Sequence, residues 1–374
     1  MKIAYLSTFY PLRGGIAQYN AALYREFQKN NEIRAYTFTR QYPSVLFPGQ
    51  SQYVGPGDNA DPVDSIAVLD SINPFSYGKT AGKIAEFSPD ILLMKFWMPF
   101  FSLSLTSVAR KLRKKGIKTI SILDNVIPHE KRPGDIFLIR RFLEANDAFI
   151  AMSNTVKNDL LKLKPDAVFN FHPHPLYDHF GAGMDKAEAR KQLSIAKDRK
   201  VLLFFGFIRG YKGLDILLRA MKLLDDSYVL VIAGETYGSF DDYDAIIRDN
   251  NLQDRIVRHV RYIGDNEVPL FFSASDVCVL PYKSATQSGI IGITYHFGVP
   301  VIATDTGSLR EMIEPYNAGI VIDRPEPELL SEAIIRYFDS GMGPELSRNI
   351  AQYKENNNWQ SLARSILDLY EKVR

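Results

Sequence analysis

Short runs of consecutive apolar residues alternate along the chain with longer stretches whose apolar positions recur at three- and four-residue spacing. The first pattern suits strands buried on both faces, and the second suits helices with one buried stripe. KIAYLSTFY reads as the opening strand, PLRGG as a glycine turn and IAQYNAALYREFQKN as a helix. The strands IRAYTFT, SIAVLD, DILLMKF, TISILD and AFIAMS follow. Helices are predicted near Tyr77 to Phe87, Ser102 to Lys115 and Ile136 to Asn146, and Ser153 is placed to cap the next one.

From 164 to 186 the periodicity lapses into prolines, histidines and glycines, the composition of an interdomain segment. The alternation then restarts with VLLFFGF, LDILLRAMKLL, YVLVIAG, IVRHVRYIG, DVCVLPY, PVIATD and AGIVID, with helical stretches between and a run of helices at the end. Strands alternating with helices imply parallel βαβ units. The expectation is an α/β protein of two Rossmann-like, doubly wound parallel-sheet domains, 1–170 and 171–355, facing across a cleft. In such sheets the chemistry lies in the loops after the strands.

The length of 374 residues agrees with two domains, and 46% hydrophobic with 24% charged residues is an ordinary globular composition. A net charge of +2 argues against a nucleic-acid partner, so any basic surface has to be local. RKLRKKGIK, residues 110 to 118, is such a stretch, joined further on by Lys131, Arg132, Arg140 and Arg141. It is either a solvated helix face or a surface for anionic lipid or a phosphorylated acceptor. The neighbouring aromatic run from Met94 to Leu105 is either core or part of a peripheral membrane contact. The lone Cys278 excludes an intrachain disulfide and reads as a core residue. MKIAYLSTFYP is too quickly broken by proline for a secretory leader, and no stretch reaches the ~18 apolar residues of a spanning helix. A cytoplasmic protein is expected, with the inner membrane face as its one peripheral site.

Three post-strand segments can carry chemistry. Gly14 and Gly15 precede a helix whose free N–H groups suit an anion, although a GG pair serves a plain turn equally well and no GxGxxG is present. In GFIRGYKG, Arg209 and Lys212 can converge on a diphosphate, one as a planar fork and one as a point charge; as exposed loop cations they would do nothing. Ser288, Gly289 and Ile290 open a helix directly after a strand, so their amides can hold the same phosphates. There is no P-loop and no paired-aspartate metal site, so no metal or other cofactor is expected. His172, His174 and His179 lie close together without the carboxylates or thiols that would complete a coordination shell. Glu235, in AGE after a strand, either faces a ligand or is structural.

FFGFIRGYKGLDILLRA, ASDVCVLPYKSATQSGI and YHFGVPVIATDTGSL together resemble the C-terminal half of the family-4 glycosyltransferases of the GT-B fold, and FYPLRGGIAQYNAALYREF resembles that family's opening. The resemblance covers nearly the whole chain. It implies a nucleotide-diphosphate sugar as donor substrate on the second lobe, an acceptor on the first, and metal-independent transfer with retention. Arg209 and Lys212 match the family's diphosphate pair, Gly15 its donor-facing loop and Ser288 to Ile290 its phosphate-facing helix start. The resemblance also implies that the terminal helix, 356–374, packs back on the first lobe. One departure stands out: where many members carry E-x7-E, this chain has Ala285 and Ile293, so Gln287 is left as a polar contact to the donor sugar. ILDNVIPHEKRPGD resembles the family's HN-x-x-PHE loop, with Asp124 in place of the histidine. His129 would donate to the transferring sugar or a departing phosphate oxygen, and Asp124 or Glu130 would accept from an acceptor hydroxyl.

The function expected is transfer of a sugar to a saccharide or lipid-linked acceptor in surface polysaccharide or glycoconjugate synthesis. Two alternatives stay open: a nucleotide-sugar epimerase, which would want carboxylates in the sugar pocket, and a non-catalytic binding or scaffold protein that lost turnover with the glutamates.

Overall fold

The computed structural model describes residues 1–43, 52–54, 60–128, 132–176, 180–236, 238–285 and 288–374. The chain divides into two units, Met1–Pro175 with Asn357–Arg374, and Leu176–Asn356.

The first unit is built from β1 (Lys2–Leu6), α1 (Gly15–Gln28), β2 (Glu32–Arg40), β3 (Ser65–Asp70), α2 (Pro74–Glu86), β4 (Ile91–Phe96), α3 (Ser102–Arg113), β5 (Lys118–Leu123), α4 (Asp135–Glu144), β6 (Ala148–Ala151), α5 (Asn154–Leu163) and β7 (Phe169–Phe171). Its seven strands run in the order β3-β2-β1-β4-β5-β6-β7. Every neighbouring pair is parallel. Alternate residues of one strand feed different cores, as the two-residue period of a strand requires. Ala4, Leu6, Leu92, Met94 and Phe96 pack with the side chains of α2, α3 and α4. Ile3, Tyr5, Ile91, Leu93, Ile120 and Ile122 pack with α1 and with Trp359, Leu362, Ile366 and Leu369 of the last helix. Both faces are covered, which is why β4 and β6 are apolar and buried along their whole length apart from one lysine.

The second unit holds α6 (Lys186–Gln192), β8 (Lys200–Phe205), α7 (Leu214–Met221), β9 (Tyr228–Ala233), α8 (Asp241–Asp249), β10 (Ile256–His259), α9 (Val268–Ala274), β11 (Val277–Leu280), α10 (Gly289–His296), β12 (Val301–Thr304), α11 (Leu309–Ile313), β13 (Gly319–Ile322), α12 (Pro327–Asp339) and α13 (Gly343–Asn356). Its sheet runs β10-β9-β8-β11-β12-β13, again parallel throughout. Val201, Leu203 and Phe205 face one core, and Leu202 and Phe204 face the other. The last helix, α14 (Trp359–Val373), belongs to the first unit and starts in a capping box between Asn358 and Ser361.

Ser153 caps α5 as its position suggests, its hydroxyl accepting from the Val156 N–H at 3.2 Å. The stretch 164–186, read as an interdomain segment, contains β7, paired in parallel with β6, and the start of α6. Three residues of strand are too few to show a period, so the composition of the surrounding loop hid it. The sheet segment IVRHVRYIG is also shorter than expected, because the chain leaves the ladder after His259. No helix among the described residues is long and apolar enough to cross a membrane.

Candidate functional site

In the second unit the loops after β8, β9 and β11 are locked to one another through glycines. A β-carbon on Gly213 would stand 2.0 Å from the Pro281 carbonyl oxygen, and one on Gly234 would stand 2.1 Å from that of Gly206. Both glycines have positive φ, +71° and +152°, so the approach and the backbone shape each demand the missing side chain. The Lys283 N–H donates to the Tyr211 carbonyl at 2.7 Å, and its ammonium pairs with Asp215. The Ile208 N–H donates to the Glu235 carbonyl at 2.8 Å, which leaves the exposed Glu235 side chain at the loop surface.

These contacts place Lys212 where a lysine would not sit by choice. Its side chain is 8% exposed, and no carboxylate pairs with it among the described residues. Burial lowers its pKa, and the positive charge of Arg209 lowers it further. Its ammonium lies 3.4 Å from the position of a β-carbon on Gly206 and 5.8 Å from the Tyr282 ring centre. The same Gly206 position is 3.0 Å from the Ile290 side chain, and the Tyr282 hydroxyl is 3.3 Å from that of the buried Ser288. Ser288 stands at the N-cap of α10 with its side chain making no capping bond, followed by Gly289 as the first helical residue. Lys212 and Ile290 thus meet at Gly206 and Ser288 lies against Tyr282, with the exposed Arg209 close enough for its charge to be felt. A buried ammonium with a second cation nearby, beside a helix N-terminus, is an arrangement that an anion relieves. The thiol of Cys278, buried beneath, is pushed up to about 12.

In the first unit, Gly14 has φ +110° and precedes α1. Gly14 and Gly15, with Tyr10, Arg13, Gln18 and Asp61, line a cavity of about 220 Å³. The end of β1 is held by Asn20, wholly buried, which accepts from the Tyr5 hydroxyl at 2.5 Å and donates to Ser7 Oγ and the Thr8 carbonyl, both at 2.8 Å.

Asp124 follows β5 immediately, its N–H continuing the ladder to the Phe96 carbonyl. Its carboxylate accepts from Lys95 Nζ at 2.6 Å. Lys95, on β4, also lies 3.4 Å over the Tyr19 ring, and Tyr19 meets His174 and Trp359 edge-on. Burial and the Lys95 charge hold His174 down to about 4. His174 Nδ1 lies 2.6 Å from the Pro175 carbonyl, and the His172 ring lies 2.8 Å from Ser361 Oγ and 2.7 Å from the Pro173 carbonyl. Sequence reasoning passed over Lys95, although a single charge inside ILLMKF was the visible signal. His129, Glu130 and Gln287 lie outside the described residues, as does His179.

The aromatic run and the basic run do different things. Phe101 packs against Trp97, ring centres 4.4 Å apart, and against Tyr42, so the aromatics are largely consumed by the core. Arg110 and Arg113 pair with Glu144 and Asp147, while Lys111, Lys114 and Lys115 stay exposed.

Residues 185–357 match the family described as "Glycosyl transferases group 1". The chain is 26% identical over 274 residues to the D-inositol 3-phosphate glycosyltransferase of Acidothermus cellulolyticus, an alignment covering 68% of this chain and 59% of that protein. The chain therefore spans about three-fifths of the length of this curated relative. Among solved structures, Anabaena HepE in complex with UDP superposes with a TM-score of 0.69 at 16% identity, covering the whole of both chains. The sucrose-phosphate synthase of Thermosynechococcus elongatus superposes with a TM-score of 0.63 at 17% identity, covering all of this chain and 99% of that one. The fold is that of the GT-B glycosyltransferases.

Proposed function

We propose that this chain is a retaining glycosyltransferase that takes a nucleoside-diphosphate sugar and transfers the sugar to a saccharide or lipid-linked acceptor. The observation that carries the reading is Lys212: a buried ammonium, next to Arg209 and the start of α10, with no carboxylate to neutralise it among the described residues. A diphosphate supplies the missing charge, Lys212 and Arg209 would meet it as cations, and the Ser288 and Gly289 amides would meet it as donors. This leaves no step that requires a bound metal. UDP-glucose is the first donor to try, because HepE, of the same fold, binds UDP. Asp124, in the first unit, is the candidate to accept a hydrogen bond from the acceptor hydroxyl. A role in surface polysaccharide or glycoconjugate synthesis on the inner membrane face fits such an acceptor.

The test is release of UDP from UDP-glucose, alone and with simple glycosides, by the wild type and by Arg209→Ala. Turnover in the wild type that is lost in the variant supports the reading, and the anomeric proton coupling of the product reports retention. UDP binding without any turnover would instead support a non-catalytic binding protein, and interconversion of the sugar an epimerase.

A further inference from the structure

We propose that Lys95 is a positioning residue for the transfer step: it holds the Asp124 carboxylate by one oxygen and leaves the other turned to the acceptor hydroxyl. The inference rests on the transferase reading above and adds to it a residue that does not touch substrate.

Lys95 occupies an improbable place. Its strand is buried at all six positions, and its side chain is 2% exposed. Taking an ammonium out of water is costly, and the surroundings compensate it with three groups: Asp124 Oδ1 at 2.6 Å, the face of Tyr19 at 3.4 Å and Met152 Sδ at 3.7 Å. As a purely structural device the pair is a poor choice, since apolar residues of similar volume commonly serve a core as well or better. The two partners are also unequal. Lys95 is sealed inside, whereas the Asp124 side chain is 24% exposed, at the carboxyl end of a parallel strand. Lys95 Nζ is the one partner hydrogen-bonded to that carboxylate among the described residues, on Oδ1. A buried cation, fixed by a packed strand and an aromatic face, thus grips one oxygen of a carboxylate whose remainder reaches the surface. That arrangement sets where the carboxylate stands.

The experiment compares Lys95→Met, Asp124→Asn and the double variant with the wild type. The readouts are melting temperature, UDP binding by calorimetry, and UDP release from UDP-glucose. Asp124→Asn, which leaves a buried ammonium without its counter-charge, is expected to melt lowest, and the double variant to recover much of that loss. Turnover is expected to fall about 10²- to 10⁴-fold in all three, with UDP affinity changed by less than about twofold and Lys95→Met adding little on the Asp124→Asn background. Recovery of turnover along with stability in the double variant would overturn the proposal, because the pair would then only hold the fold together. Wild-type turnover in Lys95→Met would overturn it as well. Failure of the wild type itself to bind UDP or release it from UDP-glucose would instead bring down the transferase reading, and this inference with it.

Discussion

The ammonium of Lys212 lies 3.4 Å from the point where a β-carbon on Gly206 would stand, so the glycine at the end of β8 is what gives the lysine its seat. Gly206 also has φ +91°, a conformation that an alanine adopts only with strain. Gly206→Ala is therefore expected to push Lys212 or Ile290 aside and to weaken UDP binding. Calorimetric titration checks this; unchanged affinity would mean that the lysine does not face the nucleotide.

Removing the charge at Lys212 should separate stability from binding. Lys212→Met keeps the length of the side chain and takes away a desolvated cation, so the folded protein is expected to melt no lower than the wild type. The same change should weaken UDP by about 1.5–3 kcal/mol, the usual range for a charge-assisted hydrogen bond. A chemical-denaturation curve and a binding isotherm on one preparation read both effects.

Much of the fold could be read from the chain because parallel sheets covered on both faces leave a strong mark. Runs such as ILLMKF and YVLVIA have no polar face, and the helices between them carry a clear stripe. What escaped was short or non-periodic: the three residues of β7 rest on pairing with β6, a long-range contact with no local signature. The candidate site was legible as far as residue types go, with Arg209, Lys212 and Ser288 named from their loops. Geometry was not legible. Nothing in GFIRGYKG says that Lys212 is buried and Arg209 exposed, because burial depends on residues distant in the chain, such as Tyr282 and Ile290. Lys95 was hidden for a related reason, since its partner lies 29 residues away.

The first unit should be sensitive to mild acid. A histidine ordinarily titrates near 6.5, and His174 is held down to about 4, chiefly by burial and then by Lys95. Between those values the unfolded chain binds a proton that the folded chain refuses, so stability falls as the pH drops through that window and the loss is complete below it. The full interval is worth about 3 kcal/mol. Urea unfolding midpoints followed across the window should show this slope, and His174→Gln should flatten it.

Asn20 carries three buried hydrogen bonds between α1 and the end of β1. Asn20→Ala leaves the Tyr5 hydroxyl without its acceptor and is expected to cost about 2–4 kcal/mol. Thermal unfolding measures it directly, and a loss below half a degree would show that the network tolerates the gap.

Cys278 offers a simple check on the second core. With its thiol buried and raised to about 12, it should not react with an aromatic disulfide reagent at neutral pH until denaturant unfolds the unit. Rapid labelling of the native protein would show that β11 is not packed as described.

The most direct measurement is a thermal-shift titration with UDP, GDP, ADP and CMP, with and without magnesium, on the wild type and on Lys212→Met and Arg209→Ala. A ligand that binds only the folded state raises the melting temperature with ln(1 + [L]/Kd). The expected result is a shift with a nucleoside diphosphate that does not need magnesium and is lost or much reduced in both variants. No shift with any of the three diphosphates, or a shift that survives both substitutions, would contradict the claim that Lys212 and Arg209 form the donor's phosphate site.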